Sequence, residues 1–518
     1  MDFINSNVED RQRIISHKKC DVSKITMNGI LIRIFCLISC IKLLLIPTYH
    51  STDFEVHRNW LAITHSLPVN EWYKTEISQW TLDYPPFFAW FEYFLSLFAV
   101  FFDVEMLKLE NLNYASFNTK VFQRSTVIIT DIVFLYGVKK VGDTCINSTQ
   151  NFIIFIILSL TNIGLWIIDH IHFQYNGFLL GILLISIAGT YDILKKKNIL
   201  EGAAWFSILL NLKHIYVYVA PAYVVWLLKW CLKRQYFIRR FLQLAIIVLT
   251  TLLISFWPFK SQLPQVFSRL FPFKRGLLHA YWAANFWALY AGFDKLLVVL
   301  WKNLGWHVEE NSARLTGGLV QEQSFLLLPT PSPIATFSIT ILFMMPSLLK
   351  LAFKDELTGG ISFIRCLVIC GLSSFMFSYH VHEKAILTSI IALSVLSVIN
   401  KNDARVFIIL CLTGITALFP LLYPKDLLLL KILLFTFYAV CTIALLIQRF
   451  KKNILLIYEW IYIANLPLLI IYESILHQLL FGEKLPFLPL AITSLYCSIG
   501  VTYSFCLYYF MYHFGYNK

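Results

Sequence analysis

Residues 85–102, PPFFAWFEYFLSLFAVFF, are apolar enough to enter a bilayer, and whether they cross it decides which side every later polar cluster faces. A spanning helix needs about 20 mostly apolar residues. Clear candidates lie near 30–47, 122–138, 152–168, 177–193, 241–257, 333–349, 361–378, 385–399, 405–422, 427–447, 454–475 and 486–512. A compressed run at 203–230 has room for two short helices, while 85–102 and 286–302 are ambiguous by hydropathy alone.

Lysine and arginine resolve the ambiguity, because cytoplasmic loops of polytopic proteins carry an excess of them. Take the N-terminus as cytoplasmic. Lys139-Lys140, Lys195 to Lys197, Lys229 to Arg240, Lys350 with Lys354, Lys401 with Arg405, and Arg449 to Lys452 should then share its side. They do so only if 85–102 and 286–302 stay on the far side as interfacial helices and 203–230 crosses twice. The expected fold is an all-α polytopic membrane protein with about 14 transmembrane helices and both termini cytoplasmic. It divides into a tail (1–28), an N-terminal transmembrane module (29–257) that includes loop 48–121, a long loop (258–332) and a C-terminal transmembrane module (333–518).

Composition agrees. Of 518 residues, 58% are hydrophobic and only 14% charged, against about a quarter charged in soluble domains. The net charge of +13 sits in short clusters between apolar runs, which fits positive-inside topology better than nucleic-acid binding. The first apolar run lacks a small-residue cleavage site and reads as a retained signal anchor. The eleven cysteines show neither paired nor metal-ligand spacing. There is no Walker loop, strand-linked GxGxxG, HExxH or GxSxG. An enzyme of this make-up would receive its substrates through the membrane.

Polar chemistry gathers on the far side. In TDFEVHRNWLAITHS, Thr52 and Glu55 have capping-box spacing, and Asp53 and His57 lie one turn apart. Phe54, Trp60, Leu61 and Ile63 would give that helix a face to rest on the membrane. Spacing alone favours Asp53 as a partner of the helix dipole over a catalyst. IDHIHFQYNG (168–177) ends a span with Asp169, His170, His172, Gln174 and Asn176. Its two histidines are two residues apart and point in different directions on a helix, which supports a metal pair only weakly. RLFPFKRGLLHAYWAANFW (269–287) sets Arg269, Lys274 and Arg275 among aromatics, which suits a phosphate with its sugar or lipid, or equally an interfacial amphipathic stretch. YHVHEK (379–384) and Lys213-His214 interrupt apolar runs, where ionisable groups without a role are costly. Asp131, inside a span, reads as a structural partner.

Taken together and in order, these stretches resemble the endoplasmic-reticulum dolichyl-phosphate-glucose alpha-1,3-glucosyltransferases of N-glycan precursor assembly, with WTLDYPPFFAWFEY and HVHEKAIL adding to the match. Within that family the chain is most similar to the branch that adds the second glucose. The first-glucose branch looks like DYEAQRHW at residues 53–60 and has glycine at the place of Ile171. Two positions depart from the expected pattern: Ser378-Tyr379 stands for Gly-Trp, and Ala284 for proline.

The resemblance implies a GT-C glycosyltransferase of the endoplasmic-reticulum membrane with a lumenal active site. It implies dolichyl-phosphate glucose as donor and a once-glucosylated, dolichyl-diphosphate-linked oligosaccharide as acceptor. It places the catalytic base on Asp53 and gives His382 the donor phosphate or leaving group. Glu55, His57, Arg58, Lys213, His214, Arg275, Glu383 and Lys384 are further binding candidates, and Asp169, His170, His172 and Gln174 are expected to shape the sugar-binding wall. Inverting transfer without a nucleotide diphosphate does not of itself require a metal, so none is expected, nor any other cofactor. The alternatives are the first-glucose enzyme and a polytopic lipid or sugar transporter, the latter disfavoured because the polar clusters share one face instead of the midplane.

Overall fold

The computed structural model describes residues 27–194, 196–232, 235–271, 276–279, 281–306, 325–354 and 359–515. Among these the chain is helical, and the one extended pairing is an isolated parallel bridge between Leu278 and Val381. Eleven helices are long and apolar enough to cross a membrane: Met27–Leu44, Phe117–Cys145, Thr149–Phe173, His214–Leu232, Phe237–Leu270, Pro333–Phe353, Gly360–Phe377, Lys401–Leu421, Lys425–Phe450, Ile457–Phe481 and Leu488–Gly515. The expected count of fourteen would need Asn176–Tyr191, Lys196–Leu212 and Ile386–Ser397 as well, with 16, 17 and 12 residues. The first and last of these are buried along their length, surrounded by protein instead of lipid.

The two ambiguous runs are both helices. Pro86–Ala99 has 14 residues, about 21 Å at 1.5 Å per residue, short of a hydrocarbon core of about 30 Å. Phe286–Asn303 has 18 residues but carries Asp294, Lys295 and Lys302. Buried Asp294 accepts hydrogen bonds from the backbone N–H groups of Leu326, Leu327 and Leu328 at 3.2, 3.0 and 2.8 Å, so this acid anchors the chain that returns to the membrane.

The core sits where apolar helices are enclosed on all sides. Gly360–Phe377, Ile386–Ser397 and Lys401–Leu421 are buried almost throughout, whereas Phe237–Leu270 shows Ile246, Leu249 and Leu253 to its surroundings. Glycine brings Phe117–Cys145 and Asn176–Tyr191 into backbone contact. A Cβ on Gly181 would lie 2.6 Å from the backbone N of Phe134, and one on Gly137 2.5 Å from the carbonyl of Gly181. Small residues serve this purpose in membrane helices, where close packing replaces the hydrophobic effect.

The segment after the first span departs from the sequence expectation. Its helix, Thr52–Ser66, is capped by Ser51, whose Oγ accepts from the Asp53 N–H at 3.1 Å; the Thr52/Glu55 capping box does not form. Glu55 turns instead to Arg58, which it binds through both oxygens at 2.7 Å. Phe54, Trp60, Leu61 and Ile63 do not rest on the membrane but are buried in protein. The reason lies in what covers them. Asn59 and the Trp60 indole donate to the carbonyls of Trp80 and Thr81, and His57 meets Glu92 of Pro86–Ala99 at 2.6 Å. Residues 67–116 fold back over the helix.

Candidate active site

Hydrogen bonds from two buried residues, Ser51 and Arg124, fix where Asp53 points. Ser51 donates its backbone N–H and its hydroxyl to the carbonyl of His172, at 3.1 and 2.7 Å. Arg124 donates to the carbonyls of Tyr49 and Ile171 at 2.6 and 3.1 Å, and also to that of Leu45. The start of the Asp53 helix is thereby pinned to the end of the span Thr149–Phe173. That span finishes in a wide π-turn, Trp166–Phe173, with Phe173 in the left-handed region at φ 93°. π-turns and non-glycine residues at positive φ concentrate at functional sites, where surrounding contacts hold an otherwise costly backbone.

The turn splits its polar side chains into two sets. Asp169 accepts from the N–H groups of Asn176 and Gly177 at 3.0 and 2.5 Å and from the Asn176 amide at 2.9 Å, so it caps the next helix. His170 meets Asp131 at 2.9 Å, and Lys42 meets the same carboxylate oxygen at 2.6 Å. Asp131 is thus a structural partner. Asp169 and His170 are buried away from the cavity and do not form the expected sugar wall. His172 and Gln174, from the same turn, reach Asp53 Oδ2 at 3.1 and 2.6 Å.

The third contribution comes from far along the chain. The parallel bridge between Leu278 and Val381, the His380 N–H to the Leu277 carbonyl at 3.1 Å, and His380 Nδ1 to the Gly276 carbonyl at 2.7 Å clip residues 276–279 against 379–382. His380 has φ 52°, a second left-handed backbone beside the site. The clip delivers Lys384 to Asp53 Oδ2 at 2.5 Å, and stacks the His279 and His382 rings with centroids 4.0 Å apart. Buried Glu383 lies 3.2 Å from His279 Nδ1.

Asp53, His172, Gln174, His279, His382, Glu383 and Lys384 line one cavity of about 670 Å³, with Trp80, Tyr84, Tyr281 and Tyr423 among its aromatic walls. Such a volume is ordinary for a small-molecule site. Burial works against charge on Asp53, but the Lys384 ammonium and the hydrogen bonds from His172 and Lys384 outweigh it and hold the carboxyl well below its ordinary range. Burial, reinforced by His279, pushes His382 well below the usual imidazole value. Glu383 is lowered despite its burial, chiefly by His279. Near neutral pH Asp53, paired with Lys384, and Glu383 therefore face the cavity as carboxylates, beside a neutral His382.

Other sequence candidates have different duties. Arg58, fully buried, binds Glu55 and the carbonyls of Met106 and Lys108, so it ties the loop together and cannot reach a ligand. Glu55 and His57 border the cavity, each already engaged by Arg58 or Glu92. Lys213 lies outside the cavity lining, 3.3 Å from Asn176 Oδ1 and over the Tyr84 ring, with burial lowering its pKa to about 8. His214 packs against Phe271 and does not line the cavity. Arg275 lies outside the described residues. Sequence reasoning passed over His279. Its only signal was a histidine inside an aromatic, basic stretch, and nothing local pointed to its partner 103 residues on. His279, His380 and His382 offer nitrogens within 4.8 Å of one another, a spacing that could hold a metal ion.

The chain is similar to known proteins over most of its length. The ALG6, ALG8 glycosyltransferase family matches residues 38–508. A mouse protein named dolichyl pyrophosphate Glc1Man9GlcNAc2 alpha-1,3-glucosyltransferase is 49% identical over 495 residues, covering 90% of this chain and 92% of its own length. Proteins of the same name from Schizosaccharomyces pombe and Arabidopsis thaliana are 43% and 40% identical, covering 90% and 92% of this chain and 94% and 96% of their own. With a match of that extent, this chain is a multi-pass membrane enzyme and belongs to the ALG6, ALG8 glycosyltransferase family.

Proposed function

We propose that this enzyme transfers glucose from dolichyl-phosphate glucose, with inversion, to the 3-hydroxyl of the terminal glucose on a once-glucosylated, dolichyl-diphosphate-linked oligosaccharide, adding the second glucose in the endoplasmic-reticulum membrane. One observation carries the mechanism. All three donors on Asp53, from Lys384, Gln174 and His172, meet Oδ2, and no described group hydrogen-bonds Oδ1. A carboxylate fixed through one oxygen, with the other turned to a cavity, is arranged as a general base. Oδ1 takes the proton of the acceptor hydroxyl as its oxygen attacks the anomeric carbon and the bond to the donor phosphate breaks. A single displacement of a β-linked glucosyl phosphate yields the alpha linkage.

The departing phosphate gains negative charge and needs donors where that charge develops. Lys384 and the imidazoles of His279 and His382 supply them from one side of the cavity. Because Lys384 is bonded to Asp53, its move toward an arriving phosphate would also free Asp53 to act as a stronger base. The acceptor assignment is supported by the relatives' printed names, in which the acceptor already bears one glucose. A second reading of the imidazole cluster, as a cation site that holds the phosphate, is favoured by the 4.8 Å clustering of its nitrogens. Full activity in excess chelator would leave the imidazoles themselves as phosphate ligands.

The deciding experiment offers purified enzyme two lipid-linked acceptors, unglucosylated and once-glucosylated, with dolichyl-phosphate glucose. Wild type should glucosylate only the second. Asp53→Asn should lose about 10²–10⁴-fold in rate, the usual worth of a positioned acid or base, while inserting and purifying normally. Transfer to the unglucosylated acceptor would overturn the second-glucose assignment, and near-normal transfer by Asp53→Asn would remove Asp53 from the chemistry. Glycosylation sequons engineered into 105–120 should be used, which would put this loop and the site in the lumen.

A further inference from the structure

A second cavity, of about 430 Å³, lies against the first. It sits between the turn after Lys401–Leu421 and the connection from Ile457–Phe481 to Leu488–Gly515, and it shares Tyr281 and Tyr423 with the Asp53 cavity. Those two tyrosines are a common wall, and Tyr423 is braced edge-on by Tyr49 at 5.2 Å. The proposed reaction uses nothing in the second cavity.

Its lining has a definite chemical character. His477 is buried; its Nδ1 lies 3.3 Å from the Tyr472 hydroxyl, while its Nε2 has no partner. A buried imidazole nitrogen left unpaired costs free energy that a ligand can recover. Around it stand Glu473 and Glu483 (carboxylates), Lys425 and Gln478, the last two hydrogen-bonded to each other. Glu473 is also paired with Lys431 at 3.7 Å, so carboxylates and ammoniums balance and leave no net positive charge to draw a phosphate. The same polar groups would be stranded against a hydrocarbon chain. Hydroxyls both donate and accept, so a polyol satisfies carboxylates, amide, ammonium and imidazole together. The tyrosine rings offer apolar faces to the CH side of a sugar.

We propose that this cavity is a subsite for the acceptor's glycan, holding sugar residues beyond the one being glucosylated and reached across the Tyr281–Tyr423 wall. The inference rests on the acceptor being a lipid-linked oligosaccharide. Distance from Asp53 makes the subsite a determinant of acceptor affinity and of reach, not of the chemical step. A long glycan gains contacts there that the donor cannot make.

The test uses the full chain in nanodiscs, with His477→Ala, the conservative His477→Gln and Gln478→Ala, two positions that line only the second cavity, and measures acceptor KM, donor KM and kcat separately. Free once-glucosylated oligosaccharide, lacking dolichyl diphosphate, serves as competitor. The expected result is an acceptor KM raised about tenfold in His477→Ala and Gln478→Ala, with donor KM and kcat at saturating acceptor unchanged and His477→Gln partly restored. The free glycan should compete with the acceptor in wild type and about tenfold less well in the variants. Unchanged donor KM and kcat show that the variants are folded. A rise in donor KM instead would assign the cavity to the donor lipid and overturn the proposal. So would an unchanged acceptor KM in active variants, with the reaction assignment left standing. Failure of wild type to glucosylate any lipid-linked glycan would overturn both.

Discussion

Asp53 and Asp131 are nearly the same site chemically. Each carboxylate takes a lysine and a histidine on a single oxygen: Lys384 at 2.5 Å and His172 at 3.1 Å for Asp53, Lys42 at 2.6 Å and His170 at 2.9 Å for Asp131. The two histidines even come from one π-turn, two residues apart. What differs is access. The Asp131 side chain is 5% exposed and walled in where Gly177 approaches it so closely that a Cβ would lie 2.4 Å from Oδ1. The Asp53 side chain is 23% exposed and opens on the larger cavity. The same three groups make a staple between helices where enclosed, and the arrangement proposed for a base with its orienting donors where a cavity opens on them. Charge and partners alone do not separate Asp53 from Asp131; the open second oxygen does, and it is what the proposed role of Asp53 as base rests on.

Breaking the two carboxylates should break different things. Asp53→Asn should remove transfer with only a small loss of thermal stability in detergent, because Lys384 then borders an open cavity. Asp131→Asn should do the reverse, because it leaves Lys42 buried without its counter-charge; losing one partner of a buried pair typically costs about 3–5 kcal/mol. Thermal unfolding alongside initial rates separates the two, and an unshifted unfolding temperature with abolished kcat for Asp131→Asn would sink the distinction.

Lys384 sharpens the comparison through pH. As the proposed base, Asp53 would act when ionised, so activity should fall as pH drops through its folded-state pKa, which Lys384 helps to depress. Lys384→Met should move the acid limb of the kcat/KM profile to higher pH, and raise donor KM about tenfold or more by removing a charge-assisted contact to phosphate. The stability linkage has the same sign. A carboxylate with a depressed folded pKa stabilises above its unfolded value of about 3.9, and that contribution disappears as pH falls through the folded pKa. An acid limb that stays in place would mean that the Lys384–Asp53 contact does not govern the base.

The histidine pair gives the smallest expected effect. His172→Ala removes one of three donors on Asp53 and should lower kcat about tenfold, in line with about 1.5 kcal/mol for a hydrogen bond to a charged group. His170→Ala should leave kcat within about twofold and lower the unfolding temperature instead. Equal effects on kcat would mean that the π-turn acts as a unit and that its two sides do not separate.

Much of the architecture was legible because bilayers impose length and charge rules on the chain. Helix position followed from apolar runs, and the grouping of 52–58, 169–176 and 379–384, expected from the lysine and arginine clusters, is met by Asp53, Gln174 and Lys384 lining one cavity. The capping error at Thr52 was also informative. Ser51 won because its hydroxyl serves two partners, the Asp53 N–H and the His172 carbonyl, and the second lies 121 residues away. Arg58 looked like a phosphate ligand by type, yet carbonyls of Met106 and Lys108 enclose it.

The sequence by itself determined the class of protein, the family resemblance and the identity of the acidic, basic and imidazole groups, because composition, spacing and motif order are local properties of the chain. Only the tertiary structure decided which of those groups are staples and which face a substrate. His170 and His172, Asp131 and Asp53, and Arg58 and Lys384 are pairs of like residues whose duties part according to enclosure. Enclosure depends on helices brought together from residues 27 to 515, and no local pattern encodes it.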